Sequence, residues 1–317
     1  MSTQATSPKH VLVSGASGMI GRSLIEELHS HGHRVTRLVR REPKDRSEFR
    51  WNPAQRTLDA KVLDGVDAVV NLSGSPLSKL PWTYNVKKEI LRSRVNATLT
   101  ITGAMAAAAN PPALLINGSA SGAYGDRPGQ VLDENSELPE TDEFLPRVVD
   151  RWERAAQTAP EGTRVVLART GLVLGRGGVL TVLKTLASVG LLSQLGDGTQ
   201  HWPWVSLRDE VRALRFLLES DDAEGAYNLV GPTPATADEI QQQLATELGR
   251  PYKLKTPSTL IDLTLQKAGR ELFLADQEIQ PKRLLDAGFT FKERTAGHAV
   301  ELALKSPEFV PEPGAGV

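Results

Sequence analysis

"HVLVSGASGMIGRSLIEELHSHG", residues 10–32, decides the fold. Its first part is a short apolar, β-rich run that stops at Gly15, the pattern of a buried strand. Its last part places Ile20, Leu24, Ile25 and Leu28 at helical spacing and stops at Gly32. Between them Gly15, Gly18 and Gly21 form a G-x-x-G-x-x-G turn. Small residues there let the backbone approach a pyrophosphate, and the helix that follows offers free N–H groups and the positive end of its dipole. Glycines alone are a weak signal, because a merely structural turn also uses them. Strand, turn and helix in this order make the stretch a dinucleotide-binding signature. Gly15, Ser17, Gly18, Met19 and Ile20 are the expected contacts.

Outward from this stretch, "RVTRLV" (34–39), "DAVVNLS" (67–73), "PPALLINGS" (111–119), "TRVVLART" (163–170) and "GAYNLVG" (225–231) read as further strands. Helical segments at Trp82–Ala109 and Leu145–Ala159 precede two of them. Alternating strands and helices imply an α/β fold, a doubly wound parallel Rossmann sheet with helices on both faces. After Pro232 the pattern turns mainly helical. The expected organisation is a cofactor-binding Rossmann domain (8–174 plus about 204–232) and a smaller, mainly helical substrate lobe (about 175–203 plus 233–310). A Pro/Gly-rich flexible tail is expected at 311–317.

With 317 residues, 40% of them hydrophobic, the chain can bury one large core or two lobes. A formal net charge of −1 leaves no electrostatic footprint for nucleic acid or an anionic membrane. The absence of cysteine excludes disulfides, thiolate catalysis and zinc–thiolate sites. "MSTQATSPKH" has no apolar core like that of a signal peptide, and no apolar run approaches the roughly 20 residues of a membrane span. The expectation is a cytoplasmic protein with a small-molecule substrate and neither a nucleic-acid nor a membrane partner. "HSHGH" brings His29, His31 and His33 together at a helix end and turn, which reads as solvated surface, so no metal site is expected.

In NAD-preferring proteins an acidic residue ends the second strand and grips the ribose hydroxyls. Here that strand runs into Arg40 and Arg41. Guanidinium forks match a 2′-phosphate, so NADP(H) is expected rather than NAD(H), with Arg40, directly after the strand, the first candidate. The alternative is that both are solvated surface residues.

Further motifs are "LDGVDAVVNLSGSPL", "RVNAT", "GSASGAYGD", "RTGLVLG", "GDGTQHWPWVSLRDEV" and "PKRLLDAGF". Together they resemble the extended, epimerase-like short-chain dehydrogenase/reductases over nearly the whole length. "WTYNVKKEILRSR" and "RWERAA" add a likeness to one subgroup, of nucleoside-diphosphate-sugar-epimerase or cell-division-inhibitor type. The resemblance implies that Asn71, Leu72, Ser73 and Gly74 lie along the adenosine side of the cofactor, with Arg94 at the place of a helical Asn. It implies that Gly118, Ser119 and Ser121 flank the nicotinamide pocket, that Arg169, Thr170 and Gly171 border it, and that Gln200, Trp202 and Trp204 face the substrate.

In the resembled superfamily a Tyr-x-x-x-Lys pair transfers the proton, the Lys lowering a tyrosine pKa of about 10. Tyr84 and Lys88 have that spacing but precede the "GSASGAYG" strand, so they read as a solvated helix face. The corresponding helix, "EFLPRVVDRWERAAQ", places Leu145 and Val149 at the Tyr and Lys positions, or Phe144 and Val148 in the neighbouring register. The usual Ser/Thr is Ala120. The remaining catalytic candidates are Tyr124, Ser119, Ser121 and Arg169. Tyr124 reads first as a packing or hydrogen-bonding residue at the strand exit, Arg169 and Arg94 suit an oxyanion, carboxylate or phosphate, with a helix salt bridge the alternative for Arg94, and His201 is the His nearest the expected cleft. Ser206 and Arg208 replace the family's usual His and Asp.

Two functions from different classes follow. One is an NADP(H)-binding atypical oxidoreductase or epimerase-like enzyme that transfers hydride to or from a small substrate. The other is a catalytically silent NADP(H) sensor acting through a partner. A homodimer is expected from fold-level analogy.

Overall fold

The computed structural model describes residues 7–305 except Arg176, so the tail expected at 311–317 lies outside the described residues. The chain opens with β1 (His10–Ser14), α1 (Met19–Ser30), β2 (Arg34–Val39), β3 (Glu48–Arg50), β4 (Ala68–Asn71), α2 (Tyr84–Ala107) and β5 (Leu114–Ala120). It continues with β6 (Val131–Leu132), α3 (Phe144–Ala156), β7 (Arg164–Thr170), β8 (Leu172–Leu174), α4 (Gly178–Ser188), β9 (Ser193–Leu195), β10 (Trp204–Ser206) and α5 (Leu207–Glu219). The last stretch holds β11 (Gly225–Leu229), α6 (Ala237–Glu247), β12 (Leu254–Thr256), α7 (Ser258–Leu265), α8 (Lys267–Gly269), β13 (Glu278–Ile279), α9 (Lys282–Asp286) and α10 (Ala296–Lys305).

Seven strands form one parallel sheet in the order β11-β7-β5-β4-β1-β2-β3. From β1 the chain steps outward through β2 and β3. It then returns to the other side of β1 at β4 and steps outward through β5, β7 and β11. The order reverses between β1 and β4, and an open parallel sheet leaves its ligand crevice at such a switch point, beyond the carboxyl ends of the strands.

The unbroken apolar run of β1 follows from burial on both faces. Val11 and Val13 pack with Leu24 and Leu28 of α1 and Leu214 and Leu217 of α5. Leu12 faces the opposite core, with Ala97, Ile101 and Met105 of α2. Thr83 caps α2, its side chain accepting from the Val86 N–H.

A further core is built by Leu180 and Leu183 of α4, Ile240 and Leu244 of α6, Val300 of α10, and Trp202 and Trp204. This region holds two short parallel ladders, β8 with β10 and β9 with β12, which the sequence did not announce. Runs of three residues are too short to show a period of two. From β13 the chain returns to the large sheet. β13 pairs with β6, and Leu284, Phe289 and Phe291 join the core beneath α1 and α5. Among the described residues no helix is long and apolar enough to cross a membrane.

Candidate cofactor and substrate site

The glycine turn lies at the switch point. Gly15 has φ +71°, and a Cβ there would stand 2.6 Å from the Leu72 carbonyl oxygen. A Cβ on Gly21 would stand 2.3 Å from the Gly15 carbonyl oxygen, so α1 packs directly onto the turn. The Gly18 N–H donates to Gly15 O at 2.9 Å and closes it. Gly18 is also the N-cap of α1 and brings no side chain to the helix terminus, so the first-turn N–H groups stay available to an anion. Ser17 and Gly18 are exposed. Gly177 and Gly178, at the start of α4, approach the Met19 side chain from above.

At the end of β2 the two arginines differ. Arg41 grips Glu48 with both terminal nitrogens, at 2.6 and 2.7 Å, and this bond holds the Glu48 carboxyl down at about 2. Arg40 is exposed and makes no hydrogen bond or ion pair among the described residues. The guanidinium free to meet a ligand is therefore Arg40's.

Behind the turn the strand ends are tied together below the surface. Ser14 Oγ donates to Asn71 Oδ1 at 2.6 Å, and Asn71 Nδ2 donates to Asn117 Oδ1 and Thr98 Oγ1. The Asn71 amide is thus occupied, which leaves its backbone, with Leu72, Ser73 and Gly74, to line the crevice. Ser73 Oγ donates to Ser14 Oγ at 3.0 Å. Arg94 lies against Gly74, and a Cβ on Gly118 would press the Trp152 ring at 3.1 Å.

The structure brings Ser119, Tyr124 and Arg169 together, though not as free groups. Arg169 holds Glu153 through Nε and Nη2, both at 2.9 Å, and donates from Nη1 to Tyr124 Oη at 3.2 Å. Ser119 Oγ donates to Glu153 Oε1 at 2.6 Å, and Tyr124 Oη donates to Asn228 Oδ1 at 2.8 Å. Burial pushes the Tyr124 phenol up, against the pull of Arg169. Burial alone would lower the Arg169 guanidinium, but Glu153 outweighs it and holds it above its usual range. Tyr124 is fully buried. Each of these three expected catalytic candidates is satisfied inside a buried network. Ser121 differs, since its hydroxyl makes no hydrogen bond among the described residues.

α3 contains neither tyrosine nor lysine. Leu145 packs against Gly122, and Val149 is buried beside Ala123 and Tyr124. Tyr84 is 78% exposed, with Lys88 over its ring, a surface pair as its place in sequence implied.

A cleft of about 310 Å³ lies in front of Leu145, lined among others by Gly122, Glu143, Arg270, Glu271 and Gln277. Glu271 reaches across it to accept the Phe144 and Leu145 N–H groups at 3.1 and 2.7 Å, capping α3. Gln277 donates to the Gly125 and Ser121 carbonyls and so fixes the turn between them. Burial, and then the neighbouring Glu271 and Asp126, raise the Glu143 carboxyl.

The residues expected to face the substrate at 200, 202 and 204 are buried and bonded to backbone carbonyls. Trp202 and Trp204 are 5% and 1% exposed, and their indole N–H groups donate to Phe273 O and Thr233 O. Gln200 donates to Leu195 O and Phe273 O. All three side chains are thus tied to the backbone of the 195–273 region. Gly171 serves a close backbone approach, since a Cβ would stand 2.1 Å from Pro203 O. His201 Nδ1 meets Asp276 at 2.9 Å. Ser206 caps α5 and donates to Glu293. His33 is buried, not solvated, between the Lys9 N–H and Glu219.

The profile of one family, the NAD dependent epimerase/dehydratase family, matches residues 11–230, which spans the glycine turn, the switch point and all of the seven-stranded sheet but its first residue, His10. The chain belongs to this family. Among curated members of the epimerase family it is 39% identical to the protein Mb2239 of Mycobacterium bovis, over 94% of this chain and 98% of that protein. It is 32% identical to SDR39U1 of Bos taurus, over 92% and 98%. The solved structure of human SDR39U1 with NADPH superposes with a TM-score of 0.85 at 29% identity, over 94% of this chain and all of that one. A nucleoside-diphosphate sugar epimerase from Corynebacterium glutamicum superposes with a TM-score of 0.76 at 31% identity, over 94% of this chain and 58% of that one. The extended, epimerase-like resemblance read from the motifs is thereby established.

Within this epimerase-family site, Glu143 and Glu271 in the cleft and Glu210 under Thr170 went unread in the sequence, whereas Glu153 under Arg169 marked the register of the helix that carries it. Only Glu153 carried a signal, in "RWERAA". The others lie on segments whose partners come from distant parts of the chain.

Proposed function

We propose that the protein is an NADP(H)-binding, atypical extended short-chain dehydrogenase/reductase, which transfers hydride to or from a small substrate in the cleft before Leu145. The observation that carries this reading is the pairing of the Gly15 turn with an unengaged Arg40 at the tip of β2, where a carboxylate would favour NAD(H). The cradle fits the cofactor. Gly15, Ser17, Gly18, Met19 and Ile20 hold the diphosphate and Arg40 the 2′-phosphate, with Arg41 steadied by Glu48. The backbone of Asn71, Leu72, Ser73 and Gly74, together with Gly118 and Gly171, lines the path toward the nicotinamide. A bound nicotinamide would supply or accept the hydride; the chain's own part would be to position it and exclude water. Human SDR39U1 with NADPH supports the choice of phosphate form.

No Tyr or Lys of α3 supports proton transfer, so Ser121 and the cleft carboxylates are the groups within the protein that remain for it. We place the protein in the cytoplasm and expect a homodimer. The direct test is turnover: purified protein at saturating NADPH, and at NADP⁺, against carbonyl, imine and sugar-nucleotide panels, UDP-glucose included. Consumption or production of NADPH with any member supports the enzyme. Silence across the panels, with NADPH still bound, favours the second reading, a sensor that reports cofactor state to a partner. The closed Ser119–Glu153–Arg169–Tyr124 network is what favours that alternative. A partner bound equally well with NADP⁺ and with NADPH sinks it.

A further inference from the structure

Arg94 is a mostly buried cation without a counter-charge. Its Nη1 donates to two neutral carbonyls, Ser75 O at 2.9 Å and Ile90 O at 3.2 Å. No carboxylate pairs with it, and Nε and Nη2 donate to nothing among the described residues. The guanidinium is stacked on Trp152 at 5.1 Å and lies against Gly74, whose missing Cβ leaves room for it on the loop after β4. Burial lowers it to about 10. Arg169 and Arg215 are matched to acids, Arg169 to Glu153 and Arg215 to Glu27 and Glu219, whereas the half-buried Arg164 and Arg283, like Arg94, donate to backbone carbonyls.

Burying a charge is costly unless it is paired. A planar fork held from one end by carbonyls and from its face by an indole keeps its remaining N–H donors in one plane, the geometry that takes a two-oxygen anion side-on. The place matters as well. Arg94, on α2, stacks on Trp152 of α3, three residues after Val149, where the family's Lys would stand, and lies against Gly74 in the loop after β4.

We propose that Arg94 is an oxyanion-binding site, taking the carboxylate or phosphate of a ligand lodged beside the Gly74 loop. This deepens the reading above and depends on it only for the identity of the neighbouring cofactor. The anion has two sources, the substrate and the cofactor's own diphosphate, and one experiment separates them.

Full-length wild type, Arg94→Gln and Arg94→Lys are titrated with NADPH by nicotinamide fluorescence. Inorganic phosphate is then titrated, at constant ionic strength, onto apo and NADPH-saturated protein, with the thermal midpoint as readout. A substrate site predicts that phosphate stabilises the NADPH-saturated wild type. Arg94→Gln then weakens that response by at least about tenfold, Arg94→Lys falls between, and the NADPH Kd changes less than about twofold. A cofactor site predicts instead that Arg94→Gln weakens NADPH by about tenfold or more, and that phosphate stabilises apo but not NADPH-saturated wild type. Equal NADPH and phosphate behaviour in wild type and Arg94→Lys, with Arg94→Gln either matching them or failing to fold, overturns the proposal. Failure of wild type to bind NADPH contradicts the cofactor reading instead, and the phosphate response of the apo protein still decides Arg94.

Discussion

Glu210 shows how much a single buried group governs. It is fully buried, Thr170 Oγ1 donates to its Oε1 at 2.9 Å, and its Oε2 has no partner. Burial pushes this carboxyl up to about 8, with the Thr170 bond acting against the shift. The folded value lies above the unfolded one, so the group's full contribution is present below about pH 4.5 and is lost as pH rises toward 8. Between these limits unfolding free energy falls by about 1.4 kcal/mol per pH unit from this residue alone. Urea denaturation of Glu210→Gln should therefore show a flatter pH profile than wild type between about pH 5 and pH 8; an unchanged slope contradicts the assignment. The Glu153–Arg169 pair makes a second demand at this scale. Removing Glu153 strands a buried guanidinium and the Ser119 hydroxyl, so Glu153→Ala should cost about 3–5 kcal/mol in the same assay, far beyond a surface substitution.

At the scale of elements, the strand–turn–helix unit at residues 10–32 was legible because each part obeys a local rule. A continuous apolar strand is buried on both faces, glycines mark a turn that no Cβ could enter, and apolar residues at helical spacing face the sheet. The helix read at 145–159 appears as Phe144–Ala156. What the sequence left illegible was long-range pairing and very short strands. Tyr124, Ser119 and Trp204 were placed by position in the chain, but their partners, Asn228, Glu153 and Thr233, lie 104, 34 and 29 residues away. Three-residue strands such as β9 and β12 have no period to read. Two element-scale tests follow. Gly15→Ala should abolish measurable NADPH binding, since its Cβ meets the Leu72 carbonyl at φ +71°, whereas Gly32→Ala, with open space around it, should leave binding intact. Glu271→Ala removes the acceptor for two N–H groups of α3 and should lower stability by about 1 kcal/mol in chemical denaturation.

For the whole molecule, the sheet order places one crevice at the β1/β4 switch point, and Glu271 and Gln277 tie the C-terminal region to α3 and to the turn after β5. Family membership and sheet order agree on a Rossmann-type crevice. The form of the proposed cofactor rests on Arg40. The deciding measurement is fluorescence titration of NADPH and NADH on wild type, Arg40→Ala and Arg41→Ala. The account predicts that wild type prefers NADPH, that Arg40→Ala loses about tenfold or more for NADPH while NADH is unchanged, and that Arg41→Ala, whose guanidinium is already held by Glu48, loses less. Equal affinity of wild type for the two cofactors, or an Arg40→Ala variant that keeps full NADPH affinity, contradicts it.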